Sequence, residues 1–394
     1  MTTPSLDADK ASVERAIERR KDDLVSLAKR IHAHPEVAFE EVRAMQWVST
    51  LVGDAGFEVK HPLAGLETAF VATYEGKRPV PTIAFLAEYD ALPKLGHACG
   101  HNLIAAASVG AALGVAEGVQ DFAGTIQLIG TPAEEGGGGK VILADAGVFD
   151  GIDAAMMFHP SARTILWQHG LARRKLSIEF FGRAAHASGC PEDGINALDA
   201  TLQTFASINA LRQHIPGTSR IHGIVTDGGA APNIVPDHSA SLFYVRAFDD
   251  ETCDELLEKV KHCAQGAATA TGAELHFEMQ GSYKALRTNL TLADAFRKNV
   301  ESLGWQFETT DPTKRIGSTD VANVSHVVPA IHPYLSIGPS DLPGHSIAFA
   351  EAAASDKGHE AMLAAAKALA MTAVDLMHKP DLLGAVTKEF RETS

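Results

Sequence analysis

Thr82-Ile83-Ala84-Phe85-Leu86 is a short, unbroken apolar run, followed by Glu88, Asp90 and then Gly96-His97-Ala98-Cys99-Gly100-His101-Asn102. An apolar run without polar alternation suits a strand buried on both faces. Two more follow, Gly124-Thr125-Ile126-Gln127-Leu128-Ile129 and Ala154-Ala155-Met156-Met157-Phe158. Between them lie a helix over residues 103–117 and another around Val141. Strands alternating with helices predict a mostly parallel sheet covered on both faces. Upstream, Leu24, Leu27 and Ile31 form a helical stripe that stops at His34-Pro35, because proline disfavours helix in the residue before it.

After Gly170 the pattern changes. Leu176, Ile178 and Phe180 alternate with Ser177 and Glu179, the period of a half-exposed strand. A helix follows with Leu198, Leu202, Phe205 and Ile208 on one side. Strands at 221–226 and 239–248, a helix over 250–268 and a strand at 274–279 complete a β-α-β-β-α-β order, that of a ferredoxin-like sandwich. From Leu292, Phe296, Val300 and Leu303 the earlier style returns, with a strand at 332–337 and a long Ala-rich helix near the end. The fold class is therefore α/β: a catalytic domain in two parts, 1–170 and 286–394, interrupted by an α+β insertion at 171–285.

Composition narrows the function. The chain has 394 residues, 45% apolar and 21% charged, as a globular protein has. Lys and Arg number 34 against 49 Asp and Glu, a net charge of −15. An acidic surface gains nothing from counterion release, so neither nucleic acid nor an anionic membrane is an expected partner. The polar N-terminus resembles no secretory signal, and the longest charge-free apolar stretch, 103–116, is too short and too rich in Gly and Ala to span a bilayer. Cys99, Cys190, Cys253 and Cys263 are scattered, which predicts a reducing, cytoplasmic setting.

In an open parallel sheet, ligands sit beyond the carboxyl ends of the strands. Cys99 and His101 follow the first buried strand, Pro132-Ala133-Glu134-Glu135-Gly136 the second, His159 the third and Gly344-His345 the late one. Thiolate, imidazole and carboxylate converging on one rim are the ligand types of a catalytic divalent ion. Singly, each has a plainer reading: a buried cysteine, a satisfied histidine, a solvated acid pair. The adjacent glutamates lie between a buried strand and a glycine run, a place suited to close ligand approach. One carboxylate can then bind metal while its neighbour stays free as a base. His32, His34, His326 and His332 read as structural and His97 as a support to a ligand. The run at 136–139 lacks the ending of a phosphate loop.

At these residues the sequence resembles the dinuclear-metal amidohydrolases and peptidases that include aminoacylases and glutamate-releasing carboxypeptidases. It is most similar to the branch with p-aminobenzoyl-glutamate hydrolase, the indole-acetyl-amino-acid hydrolases and related dipeptidases. The matching elements run from Arg30-Ile31-His32-Ala33-His34-Pro35-Glu36 and Glu88-Tyr89-Asp90-Ala91-Leu92-Pro93 through the Cys-Gly-His and Pro-Ala-Glu-Glu-Gly elements. They continue in Gly182-Arg183-Ala184-Ala185-His186-Ala187, Asn233-Ile234-Val235-Pro236-Asp237 and Gly317-Ser318-Thr319-Asp320. The resemblance implies that Cys99, His101, Glu135, His159 and His345 bind one or two divalent ions, Cys99 bridging, with Glu134 as general base. It implies that the insertion is a lid that mediates a homodimer, His186 reaching a neighbouring active site while Asn233 and Arg246 hold substrate. Two positions depart from it: Asn102 stands where many relatives have Asp, and Glu88-Tyr89-Asp90 replaces a His-x-Asp pair, leaving Asp90 to orient a ligand.

The expected activity is metal-dependent hydrolysis of an amide bond in a small N-acyl amino acid or dipeptide. Zinc or manganese is the expected ion, cobalt or nickel the alternatives. His186 would stabilise the oxyanion, and Arg246 or Asn233 would take a substrate carboxylate. The rivals are deacetylation of an amino sugar or biosynthetic intermediate on the same site, and a non-catalytic metal-bearing binding protein. The free carboxylate of Glu134 argues against the latter.

Overall fold

The computed structural model describes residues 5–393 except Pro312 and Arg315. It divides into two compact units: Met1–Gln168 with Arg287–Arg315 and Asp320–Ser394, and His169–Leu286 with Ile316–Thr319. In chain order the first unit holds β1 (Glu58–Lys60), β2 (Phe70–Glu75), β3 (Arg78–Ala87), β4 (Ala123–Gly130), β5 (Ala154–Met156) and β6 (His159–Ser161). The second holds β7 (Ala172–Phe181), β8 (Arg220–Asp227), β9 (His238–Ala247) and β10 (Glu274–Tyr283), and the first resumes with β11 (Ala330–Ile331) and β12 (Tyr334–Ser336).

The first unit is built on a six-stranded sheet in the order β1-β2-β4-β3-β5-β11. The pairs β3–β4, β3–β5 and β5–β11 are parallel, as the apolar runs predict, while β1 and β2 add an antiparallel edge. Because β4 and β5 flank β3 on opposite sides, the strand order reverses at β3, the place where such sheets open a crevice at their carboxyl ends. The helix His101–Gly118 packs on β3 and β4 and is buried from His101 to Val115. It is covered in turn by Leu6–Arg19, Lys21–Ala33 and Asp356–His378. The last of these is long and apolar enough to cross a membrane, but most of it is buried inside this unit. The strand predicted at 332–337 is shorter than expected: Pro333, with no N–H for a ladder, separates β11 from β12.

The second unit is an antiparallel sheet in the order β10-β7-β9-β8, with the helices Ala197–Leu211 and Asp250–Thr271 packed on β7 and β9. Leu176, Ile178, Phe180, Phe243 and Val245 face those helices and form the core. The stripe predicted for the first helix needs correction. Ile208 is buried and Phe205 packs on the core as expected, but the other buried positions are Ala197, Ala200, Thr201 and Thr204, and Leu202 is exposed. Small residues sit inward because the helix lies close against the sheet, where Thr201 meets Ser239 at 2.7 Å.

Candidate active site

Three tight turns place the chemistry beyond the carboxyl ends of β3, β4 and β12. Gly100 adopts a left-handed conformation (φ 80°) as it caps the helix His101–Gly118, and a Cβ there would meet Pro160 at 2.5 Å. Only glycine fits between Cys99 and His101. Ala133 is also left-handed (φ 61°), and its N–H is held at 2.9 Å by the buried Glu41 carboxylate. Burial, with the charge of Asp90, pushes the Glu41 carboxyl up to about 7. His345 has φ 53°, and its N–H donates to Ala98 O at 3.1 Å. Strain at non-glycine positions is tolerated where the surroundings over-determine the backbone, as at a functional site. The glycine run has a different origin from the one expected. A Cβ at Gly137 would strike the Phe39 ring and one at Gly139 would strike Pro132 O, so close backbone packing requires these glycines.

Cys99, His101, Glu134, Glu135, His159 and His345 come together. Potential ligand atoms of Cys99, His101 and His159, of Cys99, Glu135 and His345, and of His101, Glu134 and Glu135 lie within 4.8 Å of one another in each group. Cys99 Sγ is 3.4 Å from His159 Nε2, and Glu135 Oε1 is 3.4 Å from His345 Nε2. Asp90 holds this set in place: Oδ1 accepts from His101 Nδ1 and Oδ2 from the Glu135 N–H, both at 3.0 Å. His159 Nδ1 donates to Pro160 O at 2.7 Å. Both imidazoles thereby turn Nε2 inward, the arrangement of metal-ligating histidines; burial lowers His101, but the charges of Asp90, Cys99 and Glu88 outweigh it and push that imidazole above its ordinary range.

The donors fit a cation. His101 Nε2 and Glu135 Oε1 are buried and make no well-formed hydrogen bond, facing only Glu88 Oε2 and His345 Nε2 at 3.4 Å, so a cation among them would satisfy both. Burial pushes the Cys99 thiol up, so a thiolate there needs a cation. Burial also holds His159 below its ordinary range, keeping it neutral for ligation.

The adjacent glutamates are driven apart. Burial, then the charges of Asp320, Glu88 and Glu135, push Glu134 well above the carboxylate range. Burial pushes Glu135 up too, but His345 and His101 outweigh it and hold this carboxyl low. A pair of carboxyls separated in this way marks an acid/base group beside a permanent anion.

Sequence reasoning missed the ion cluster beside this pair. Lys140 Nζ is completely buried, 2.5 Å from Glu88 Oε1 and 2.7 Å from Asp320 Oδ1, and Glu88 Oε2 lies 3.4 Å from His101 Nε2. Lys140 belongs to a short helix, Gly139–Asp145, whose local pattern does not mark the lysine as buried. The position of Asp320 in a matched motif was the available signal. His332, read as structural, lies edge-on to His159 at 5.3 Å and bonds Tyr334 at 3.1 Å. Asn102 donates to Ala28 O and Ala353 O at 3.3 and 3.0 Å, a task for which aspartate has no N–H.

In the second unit, His186 and Asn233 are exposed neighbours. His186 bridges Ile234, the Ala187 N–H donates to Asn233 O at 3.0 Å, and His186 Nδ1 accepts from the Gly189 N–H at 3.1 Å. Arg246 lies at the far end of β9, bonded to Ser318 Oγ at 3.2 Å. The eight steps of strand from His238 to Arg246 span roughly 26 Å.

The fold and this cluster define an amide or peptide-bond hydrolase: the chain belongs to peptidase family M20/M25/M40, which matches residues 84–374. Among its relatives is the Xaa-Arg dipeptidase of Mus musculus, 40% identical over 95% of this chain and 90% of the relative. Another is a p-aminobenzoyl-glutamate hydrolase component of Escherichia coli, 32% identical over 79% of this chain and 69% of the relative. A dinuclear metal-binding peptidase of the same family from Bacillus subtilis shares the fold, with TM-score 0.70, 23% identity and coverage of 92% and 99%.

Proposed function

We propose that this chain hydrolyses the amide bond of a dipeptide or N-acyl amino acid at a site of one or two divalent ions. The ions are held by Cys99, His101, Glu135, His159 and His345. The carrying observation is the convergence of Cys99, His101, Glu134, Glu135, His159 and His345, whose potential ligand atoms lie within 4.8 Å of one another in each of three overlapping groups. When bound, the ions lower the pKa of water and polarise the scissile carbonyl. Glu134 takes the water proton and returns it to the departing amine. Asp90 fixes His101 and the backbone of Glu135, so the ligand set is ready before substrate arrives. The thiolate and imidazoles favour zinc, with manganese next. The scattered thiols suit a cytoplasmic setting.

A homodimer completes this reading. His186 and Asn233 lie a strand's length from Arg246, so one small substrate does not reach both ends of a single lid. Two chains reconcile them, His186 of one stabilising the oxyanion at the metal centre of the other and Arg246 taking a carboxylate. The edge strand β8 carries exposed Ile224 and Val225, apolar surface that a partner would cover. The relatives' names give leaving amino acids of both charges, arginine and glutamate. The test is amine release from N-acetyl amino acids and dipeptides, with acetylated amino sugars as controls. Chelation should abolish turnover and zinc or manganese restore it; full turnover of metal-free protein contradicts the proposal.

A further inference from the structure

His332 directly follows β11, which pairs in parallel with β5, so it stands on the same carboxyl-end rim as His159. The two rings meet edge-on, 5.3 Å apart. His332 is only 4% exposed, yet its Nε2 has no hydrogen-bond partner among the described residues. An unpaired polar atom in the interior costs free energy until a water or a ligand completes it. Nor does this histidine belong to the converging ligand set, since none of the three groups of potential ligand atoms includes it.

The other ring nitrogen is tied. His332 Nδ1 lies 3.1 Å from the Tyr334 hydroxyl. Tyr334 is itself fixed, opposite His159 in the β12–β6 register and 5.7 Å from its ring. Burial pushes the Tyr334 phenol above its ordinary range, so it keeps its proton, while the Gln168 side chain hydrogen-bonds to the phenol oxygen. With that oxygen accepting from the Gln168 amide, the phenol proton is directed to His332 Nδ1. In a neutral imidazole, one nitrogen that accepts leaves the ring proton on the other. Burial, then the charges of His159, Lys140 and His101, hold His332 below its ordinary range and therefore neutral. The ring thus presents Nε2–H, a donor that no described residue receives.

The charges that bear on this ring come from basic groups alone. A fixed N–H among basic groups, beside a histidine of the ligand set, suits an oxygen that becomes negative during reaction. We propose that His332 Nε2–H is an oxyanion donor supplied by the unit that holds the metal ligands, with Tyr334 as the positioning residue that fixes its tautomer. As the water oxygen bonds to the scissile carbon, the carbonyl electron pair moves onto oxygen, and His332 donates a hydrogen bond to it. The bond is released when the tetrahedral adduct collapses, and no proton leaves the ring. This rests on the amide-hydrolysis reading. It places one oxyanion donor within the chain, besides the one that His186 of a second chain adds.

The test reads ring, binding and turnover separately on the metal-loaded protein. Proton–nitrogen correlation spectra of histidine-labelled protein at neutral pH should show His332 as the Nε2–H tautomer, and Tyr334→Phe should populate the other form. His332→Leu should keep the parent's metal per chain and KM, while kcat on dipeptides or N-acetyl amino acids falls about a hundredfold, the scale of one lost oxyanion donor. His332→Gln, which restores an N–H, should recover part of that loss, and Tyr334→Phe should lower kcat about tenfold. A phosphinate analogue of the tetrahedral adduct should bind His332→Leu about a hundredfold more weakly than the parent, with binding of the product amino acid unchanged. The Nδ1–H tautomer in the parent, or parental kcat in His332→Leu, overturns the donor and leaves amide hydrolysis standing. Metal lost from a folded His332→Leu makes the ring a ligand and also overturns it. A parent that hydrolyses no amide overturns the hydrolase reading, and this inference with it.

Discussion

Lys140 is the side chain whose removal should be felt most at the residue scale. Its ammonium is completely buried between Glu88 and Asp320, and both acids push Glu134 upward. Lys140→Met leaves two buried carboxylates without their cation, a loss of about 3–5 kcal/mol. Thermal unfolding should show that drop, and Lys140→Arg a smaller one; an unchanged melting temperature for Lys140→Met contradicts the assigned ion cluster. The residues of the proposed site are legible in the sequence because Cys99, Glu134, Glu135 and His159 each follow a buried strand. Lys140 is not: only the fold shows that the backbone after Gly138 turns it inward to meet Asp320, 180 residues away.

At the scale of elements, the helix His101–Gly118 depends on glycine for its close neighbours. A Cβ on Gly114 would approach Ile17 at 2.7 Å, and one on Gly118 would meet the backbone of Val13 at 2.8 Å. Gly114→Val and Gly118→Val should each cost about 1–3 kcal/mol by overpacking, read from chemical denaturation. Gly118→Val should be the worse, because backbone cannot rotate away. Continuous apolar runs reveal β3, β4 and β5. The short edge strand β1 carries no such run, and the inward face of Ala197–Leu211 is read only in part, through Phe205 and Ile208, because the rest of its buried stripe is alanine and threonine instead of leucine. There, fit against the sheet outweighs hydrophobicity.

Across the whole molecule, a long-range tie joins the chain's two ends. Asp375 accepts from Lys10 at 2.6 Å and Lys379 at 2.7 Å. Burial pushes this carboxyl up, but Lys10, Lys379 and Asn299 outweigh it and hold it low. A carboxyl depressed on folding stabilises the native state above its unfolded pKa, and that contribution is lost as pH falls through the folded value. Asp375→Asn should therefore be less stable than the parent at pH 7, the gap narrowing progressively below about pH 4. A gap independent of pH contradicts the assignment. The dimer is tested at the same scale. His186→Ala and Glu134→Gln homodimers should each be nearly inactive, and mixing them under subunit exchange should restore activity. An active monomer, or mixtures that never recover, rules out a shared site. Sequence pattern is enough for the α/β class and the ferredoxin-like insertion, since both rest on local periodicity. The short segment Ile316–Thr319, which clusters with the second unit, carries no such periodicity and only contacts reveal it.

The division of labour between Glu134 and Glu135 is tested most directly by metal content and turnover measured on the same samples of two variants. Glu134→Gln should retain the parent's metal per chain while kcat falls at least about a hundredfold, the scale of a lost general base. Glu135→Gln should lose metal on dialysis. Metal loss in Glu134→Gln with metal retained in Glu135→Gln, or a Glu134→Gln variant that keeps near-parental kcat, would contradict the account.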